Sequence, residues 1–199
     1  VVIVSAGSGV FGPVRQGQGA VTTLTADDAT AIKDGVAGVR YVSPTLNSRS
    51  QIVSTTSNWN TQIQGVGADL AVIRSWPAQF GSFFTDADVS RAAKVVVLGS
   101  VTRDQLFGTG VDPTGATVRI KNQPFQVVGV LAPKGQSAMG QDQDDAAFVP
   151  FTTMQKKILG VQHVTAITIA AADGSVVATV VSDVTTLLHA EDLLLHGRE

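Results

Sequence analysis

Apolar and polar positions change their spacing several times along the chain, and each change marks an element. Val1-Val2-Ile3-Val4 is a short apolar run and reads as a strand; the Gly-rich stretch from Ala6 to Gly19 reads as a loop. A helix follows. Thr25 caps it, Asp28 completes a capping-box pattern, and Ala29, Ile32 and Val36 share one face. Gly35 or Gly38 ends it, and Val39 to Val42 leads as a strand to Pro44. Residues 46 to 66 are polar and β-favouring with Ser57-Asn58 midway, which predicts a hairpin. Ala68 to Phe80 starts helical and breaks before Pro77.

The middle of the chain is turn-rich. Lys94 to Leu98 is a continuous apolar run of the kind buried on both faces of a sheet. Val101 to Phe107 predicts a short helix with Val101, Leu106 and Phe107 inward, ended by Gly108 and Gly110. Thr117 to Ile120, a turn at Lys121-Asn122-Gln123, and Phe125 to Leu131 form a second hairpin. Pro133 to Asp145 is a polar loop, and Ala147 to Pro150 a strand. Gly99, Gly108, Gly115 and Gly129 fall at turns or in strands, where they read as structural.

The tail restores a helical period. Thr152 or Thr153 caps a helix carrying Met154 and Ile158, stopped by Gly160. Val164 to Ala170 alternates as a strand, Ser175 to His189 repeats its apolar residues at three and four, and Leu193-Leu194-Leu195 reads as a last strand. The fold class expected is α+β. Residues 1–61 and 151–199 form an α/β subdomain from both termini, and residues 62–150 a β-rich insertion.

Composition narrows the chemistry. Hydrophobic residues make up 44% and charged residues 15%, which suits a folded globule. The formal net charge of −2, with both signs mixed, gives no footprint for nucleic acid. With 0 cysteines there is no disulfide, thiolate nucleophile or cysteine metal site. No run of 18 apolar residues occurs, and the abrupt ends at Val1 and Glu199 suggest an excised piece of a longer protein.

Candidate motifs fail on spacing. Gly7-Ser8-Gly9-Val10-Phe11-Gly12 spells a dinucleotide fingerprint, but Pro13, Gly17 and Gly19 stand where a helix must open. Counting an EF-hand loop from Asp142, the places for Gly and Glu hold Ala147 and Thr153. His163, His189 and His196 lie in no metal-binding spacing, and neither G-x-S-x-G nor a phosphate-binding P-loop occurs. The reading is therefore catalytic residues none, metal ligands none and bound cofactor none. Gln141, Asp142, Asp144 and Asp145, with Trp76 beside Phe80, Phe83 and Phe84, are the candidates for an outward-facing partner contact.

One ordered set of short pieces carries a resemblance. Gly81, Phe83-Phe84 and Asp86-Ala87-Asp88 are followed by Val95-Val96-Val97-Leu98-Gly99, then by Leu106-Phe107-Gly108 and Asp112-Pro113-Thr114-Gly115. Ile120, Pro124-Phe125, Val127-Val128-Gly129-Val130-Leu131 and the acidic run from Asp142 to Pro150 complete it. In order and spacing this resembles the extracytoplasmic core domain of MacB/FtsX-type ABC transporter permeases, most firmly from Thr45 to Leu159.

The resemblance implies a domain between transmembrane helices 1 and 2, in the periplasm or at the outer cell surface. Its α/β part would be similar to the porter folds of efflux pumps. It implies no enzyme but a coupling body that relays ATP-driven motion to export. ATP and Mg would belong to a separate ABC ATPase domain or subunit. The implied partners are a second copy of the permease, a periplasmic adaptor protein and an outer-membrane duct. Two rivals are an FtsX-like domain that regulates a cell-wall enzyme, and a hydrolase using Asp142, Asp144 or Asp145 with His163.

Overall fold

The computed structural model describes residues 2–5, 24–136, 140, 142–172, 179–180 and 182–183. The elements in chain order are β1 (Val2–Ser5), α1 (Ala26–Gly35), β2 (Val39–Val53), β3 (Asn58–Val66), α2 (Leu70–Ile73), β4 (Ala78–Gly81) and α3 (Asp86–Ser90). Then come β5 (Val95–Leu98), α4 (Ser100–Phe107), β6 (Thr117–Ile120), β7 (Gln123–Leu131), β8 (Ala146–Pro150), α5 (Phe151–Thr153), a π-helical turn (Met154–Leu159) and β9 (Ala166–Ala171). Helices and strands are mixed as expected of an α+β chain. The loop from Ala6 to Gly19 and the strand at Leu193–Leu195 lie outside the described residues, as does most of the helix expected over 175–189. Thr179, Val180, Ser182 and Asp183, which are described, are helical.

Contacts divide the chain into Val1–Thr45 with Gln162–Glu199, and Leu46–Val161. The sequence reading had placed the divisions at 61/62 and 150/151. They move outward because Ile52 and Val53 of β2, which precede the expected insertion, pair with Ile120 and Arg119 of β6. The helix after Pro150 is held likewise: the Thr152 hydroxyl donates to Val89 O at 2.5 Å and that of Thr153 to Ala93 O at 2.7 Å. Those hydroxyls therefore do not cap the helix, which begins directly after Pro150.

In the first unit β9 is the middle strand, antiparallel to β1 and to the first part of β2. The capping box at α1 forms as the sequence requires. Asp28 Oδ2 accepts from Thr25 N at 2.8 Å, and Thr25 Oγ1 from Asp28 N at 3.3 Å. Ala29, Ile32 and Val36 are buried, as are Leu24, Val42, Val164, Ile167 and Ile169.

In the second unit the strand path closes on itself. The order is β2-β3-β8-β5-β7, and β6 pairs with both β7 and β2, the last through Ile52↔Ile120 and Val53↔Arg119. β7 is long enough to pair with β6 and then, further along, with β4. Closure leaves no free edge among the six strands of the ring. The β6–β7 connection is two residues long, Lys121 and Asn122, with φ of 47° and 63°, the left-handed pair that a type I′ hairpin needs.

Burial follows the strand patterns. All four residues of β5 are buried, and a core gathers Val66, Leu70, Trp76, Phe84, Val95, Val97, Leu131, Ala146 and Phe148. α4 departs from its expected inner face. Ser100, Thr102, Arg103 and Leu106 are buried while Val101 and Phe107 are half-exposed. The cause is polar: Thr102 Oγ1 donates to Ala146 O at 3.0 Å, and Arg103 Nη1 donates to Val111 O at 3.2 Å. A second capping box, Thr85 with Asp88, starts the unanticipated helix α3. Two close approaches require glycine. A Cβ on Gly99 would lie 2.1 Å from Asp144 O, and one on Gly129 would lie 2.5 Å from Ser82 O.

Candidate functional site

The acidic loop is a pinned excursion between β7 and β8. Asp144 is 5% exposed, and its carboxylate accepts the backbone N–H groups of Lys134 and Gly135, each at 2.8 Å, on its two oxygens. Asp142 Oδ1 accepts from Asp144 N at 3.0 Å, and Gln143 N donates to Gly135 O at 3.1 Å. A loop that leaves the sheet exposes backbone donors, and an inward carboxylate is the compact way to satisfy two of them.

Asp145 secures the other side. Its Oδ1 accepts from Trp59 Nε1 at 2.8 Å, from Thr61 Oγ1 at 2.8 Å and from Thr102 Oγ1 at 3.4 Å. Thr61 and Thr102 are fully buried, so this half-buried oxygen ties β3 and α4 to the start of β8. Trp59 was missed as a participant. Its place on a polar strand two residues from Thr61 is a signal only once the facing carboxylate is known.

The expected partner contact is thereby redistributed. Trp76 is 4% exposed. It packs edge-on to Phe148 with ring centres 5.4 Å apart, and its indole N–H donates to Ala132 O at 2.7 Å. It is a core residue and not part of an exposed apolar patch, because a buried indole needs both an apolar bed and an acceptor, and this position supplies both. Phe84 is buried beside it. Asp144 is likewise inside, held by its two backbone donors. Asp142 is exposed, and Gln141 lies outside the described residues.

An open groove of about 500 Å³ lies next to this loop, lined by Asn47, Ser48, Arg49, Gln62, Asp142 and Asp145. Arg49 Nε donates to Asn60 Oδ1 at 3.2 Å. Every lining residue named is a polar type, whereas small-molecule sites are lined mostly by apolar side chains with a few placed polar groups. His163 is exposed and belongs to the first unit, and the aspartates belong to the second. Asp144 and Asp145 spend oxygens on structural donors rather than on a histidine. His189 and His196 lie outside the described residues. Among the described residues no group of three or more histidines, cysteines or carboxylates is placed to hold a metal.

A surface of polar loops on a core of strands is best placed by its relatives. The family model for a MacB-like periplasmic core domain matches residues 1–187. The macrolide export ATP-binding/permease protein MacB of Syntrophobacter fumaroxidans is 41% identical over 155 residues, covering 77% of this chain and 22% of its own. MacB of Azoarcus sp. is 36% identical over 187 residues, covering 94% of this chain and 28% of its own. The chain thus spans about a quarter of the length of these relatives.

Among solved structures, the periplasmic region of MacB from Actinobacillus actinomycetemcomitans superposes with a TM-score of 0.76 at 23% identity, over 95% of this chain and 82% of that one. The extracellular domain of the ABC-type transporter YknZ from Gram-positive bacteria gives 0.72 at 19% identity, over 85% and 84%. Those two likenesses speak for the fold, and the family model and sequence relatives for descent: the chain belongs to the MacB-like periplasmic core domain family.

Proposed function

We propose that this chain is the extracytoplasmic domain of an ABC transporter permease, set between transmembrane helices 1 and 2, and that it couples ATP hydrolysis to export. The observation that carries this is the 36% identity over 94% of the chain to a protein named as an ATP-binding/permease exporter. ATP and Mg²⁺ act in an ATPase domain or subunit outside these residues. The permease works as a homodimer, and its outward partners are an adaptor protein and an exit duct where an outer membrane exists. The domain sits in the periplasm in such an envelope, and at the cell surface otherwise.

The test uses the intact transporter. Thr165 N donates to Thr45 O at 2.9 Å, so the chain leaves and re-enters the first unit at neighbouring points. A short Gly-Ser linker can therefore replace residues 46–161. Export should fall to background while nucleotide binding is retained. Unchanged export from the shortened transporter overturns the coupling role.

A further inference from the structure

Two cations converge at one corner of the second unit. Arg74 is the C-cap residue of α2, Ser75 follows with φ of 50°, and Trp76 turns the chain into the core. The indole bond from Trp76 to Ala132 O brings the segment after β7 against the end of α2. Lys134 then reaches back. Its Nζ donates to Arg74 O at 2.9 Å and stands 5.0 Å from the Trp76 ring centre. The ammonium is held from two directions, by a carbonyl and by an aromatic face.

Capping accounts for Lys134, since cations suit the carbonyl end of a helix. It does not account for Arg74. The Arg74 side chain is half-buried, and among the described residues its guanidinium has no hydrogen-bonded or ionic partner. Five N–H donors in a fixed fork are left to whatever arrives from outside. Burial lowers the Arg74 pKa from its ordinary value. Lys134 is lowered by burial first and by the charge of Arg74 second, with Asp144 pulling the other way. The Asp144 carboxylate offsets only part of this charge, one anion against two cations, and both of its oxygens already accept the Lys134 and Gly135 N–H groups. Two like charges held together, partly desolvated, form a site that an anion relieves.

We propose that Arg74 and Lys134 form a two-pronged site for a phosphate-type oxyanion, with Arg74 as the bidentate fork and Lys134 as the point charge. The oxyanion is either free phosphate or a phospholipid headgroup, and the chemistry of recognition is the same for both. Val72, 54% exposed and two residues from Arg74, gives the site an apolar margin.

The test is a titration of the 199-residue chain with inorganic phosphate, followed through the Trp76 indole N–H and the Arg74 and Lys134 amides in ¹⁵N spectra. A saturable shift at these three positions is expected. Arg74→Gln and Lys134→Gln should each weaken it at least tenfold. Arg119→Gln, at an exposed cation elsewhere in the unit, should leave it unchanged. Lys134 is an exposed side chain, so its variant keeps the test sound if Arg74→Gln perturbs folding. Flotation with vesicles of phosphatidylcholine carrying phosphatidylglycerol separates the sources. Binding lost in Lys134→Gln identifies a headgroup, and a phosphate shift without flotation identifies the free ion. A response that does not saturate, or equal binding by the variants and the parent chain, overturns the proposal.

Discussion

The carboxylate of Asp145 accepts the indole N–H of Trp59 at 2.8 Å across the strand pair β3–β8. The same oxygen takes the hydroxyls of Thr61 and Thr102, so one acceptor serves three donors from two elements. Removing it strands the Trp59 indole N–H and the buried Thr61 hydroxyl, while Thr102 keeps Ala146 O as its acceptor. Asp145→Ala is expected to destabilise the second unit by about 2 to 3 kcal/mol, and Asp145→Asn, which keeps an acceptor, by about half as much. Urea unfolding followed by tryptophan fluorescence measures both. A loss below about 0.5 kcal/mol for the alanine variant would remove Asp145 from the list of structural anchors.

Asp144 holds the base of its loop through two backbone amides rather than through side chains. In Asp144→Ala the amides of Lys134 and Gly135 should exchange with solvent at least tenfold faster, which corresponds to about 1.4 kcal/mol of local opening. Amides of β5 should be unaffected. Hydrogen exchange read by NMR decides the matter, and uniform acceleration across the unit would contradict a local role.

Gly99 and Gly129 are constrained by space, since a Cβ at either would meet a backbone oxygen at 2.1 or 2.5 Å. Alanine at either position should cost about 2 kcal/mol or more, because backbone atoms cannot step aside as a flexible side chain can. Gly110 is the contrast. Nothing lies within 4 Å of its Cβ position, but φ is +77°, so Gly110→Ala should cost only about 1 kcal/mol from conformational preference. Thermal melts of the three variants rank these effects, and a Gly110 penalty equal to the others would show that close packing is not the cause.

The α3 cap responds to acid. The Thr85 backbone N–H, and then Arg91, lower the Asp88 pKa below its ordinary 3.8. Its folded value is depressed, so its stabilisation is fully present above the unfolded value. That contribution disappears as pH falls through the lowered folded value. Arg91 is 69% exposed, so the ion pair itself adds little. The melting temperature should fall below pH 4 more steeply in the parent chain than in Asp88→Asn. Parallel curves between pH 2 and 6 would exclude Asp88 as a contributor.

Local devices were legible in the sequence because they act over three or four residues. The Thr25 and Asp28 capping box, the all-apolar run Val95 to Leu98 and the turn at Lys121-Asn122 each declare themselves within one short window. The candidate contact was not. Trp76 next to Pro77 reads the same whether it faces Phe148 or water, since its neighbour in space is distant in the chain. Asp144 and Asp145 read as solvated charges because their partners are mainly backbone amides, an indole and hydroxyls. The unit boundaries were displaced for the same reason: Ile52 pairs with Ile120, far along the chain, and that leaves no local mark.

The six-strand circuit has a mechanical consequence. An open sheet yields one strand at a time from its edge, but a circuit fastened through Ile52↔Ile120 offers no end from which to peel. Load delivered along β2 must strain several ladders together before any one parts. Such a body answers a push as a block, which is the property required of a lever.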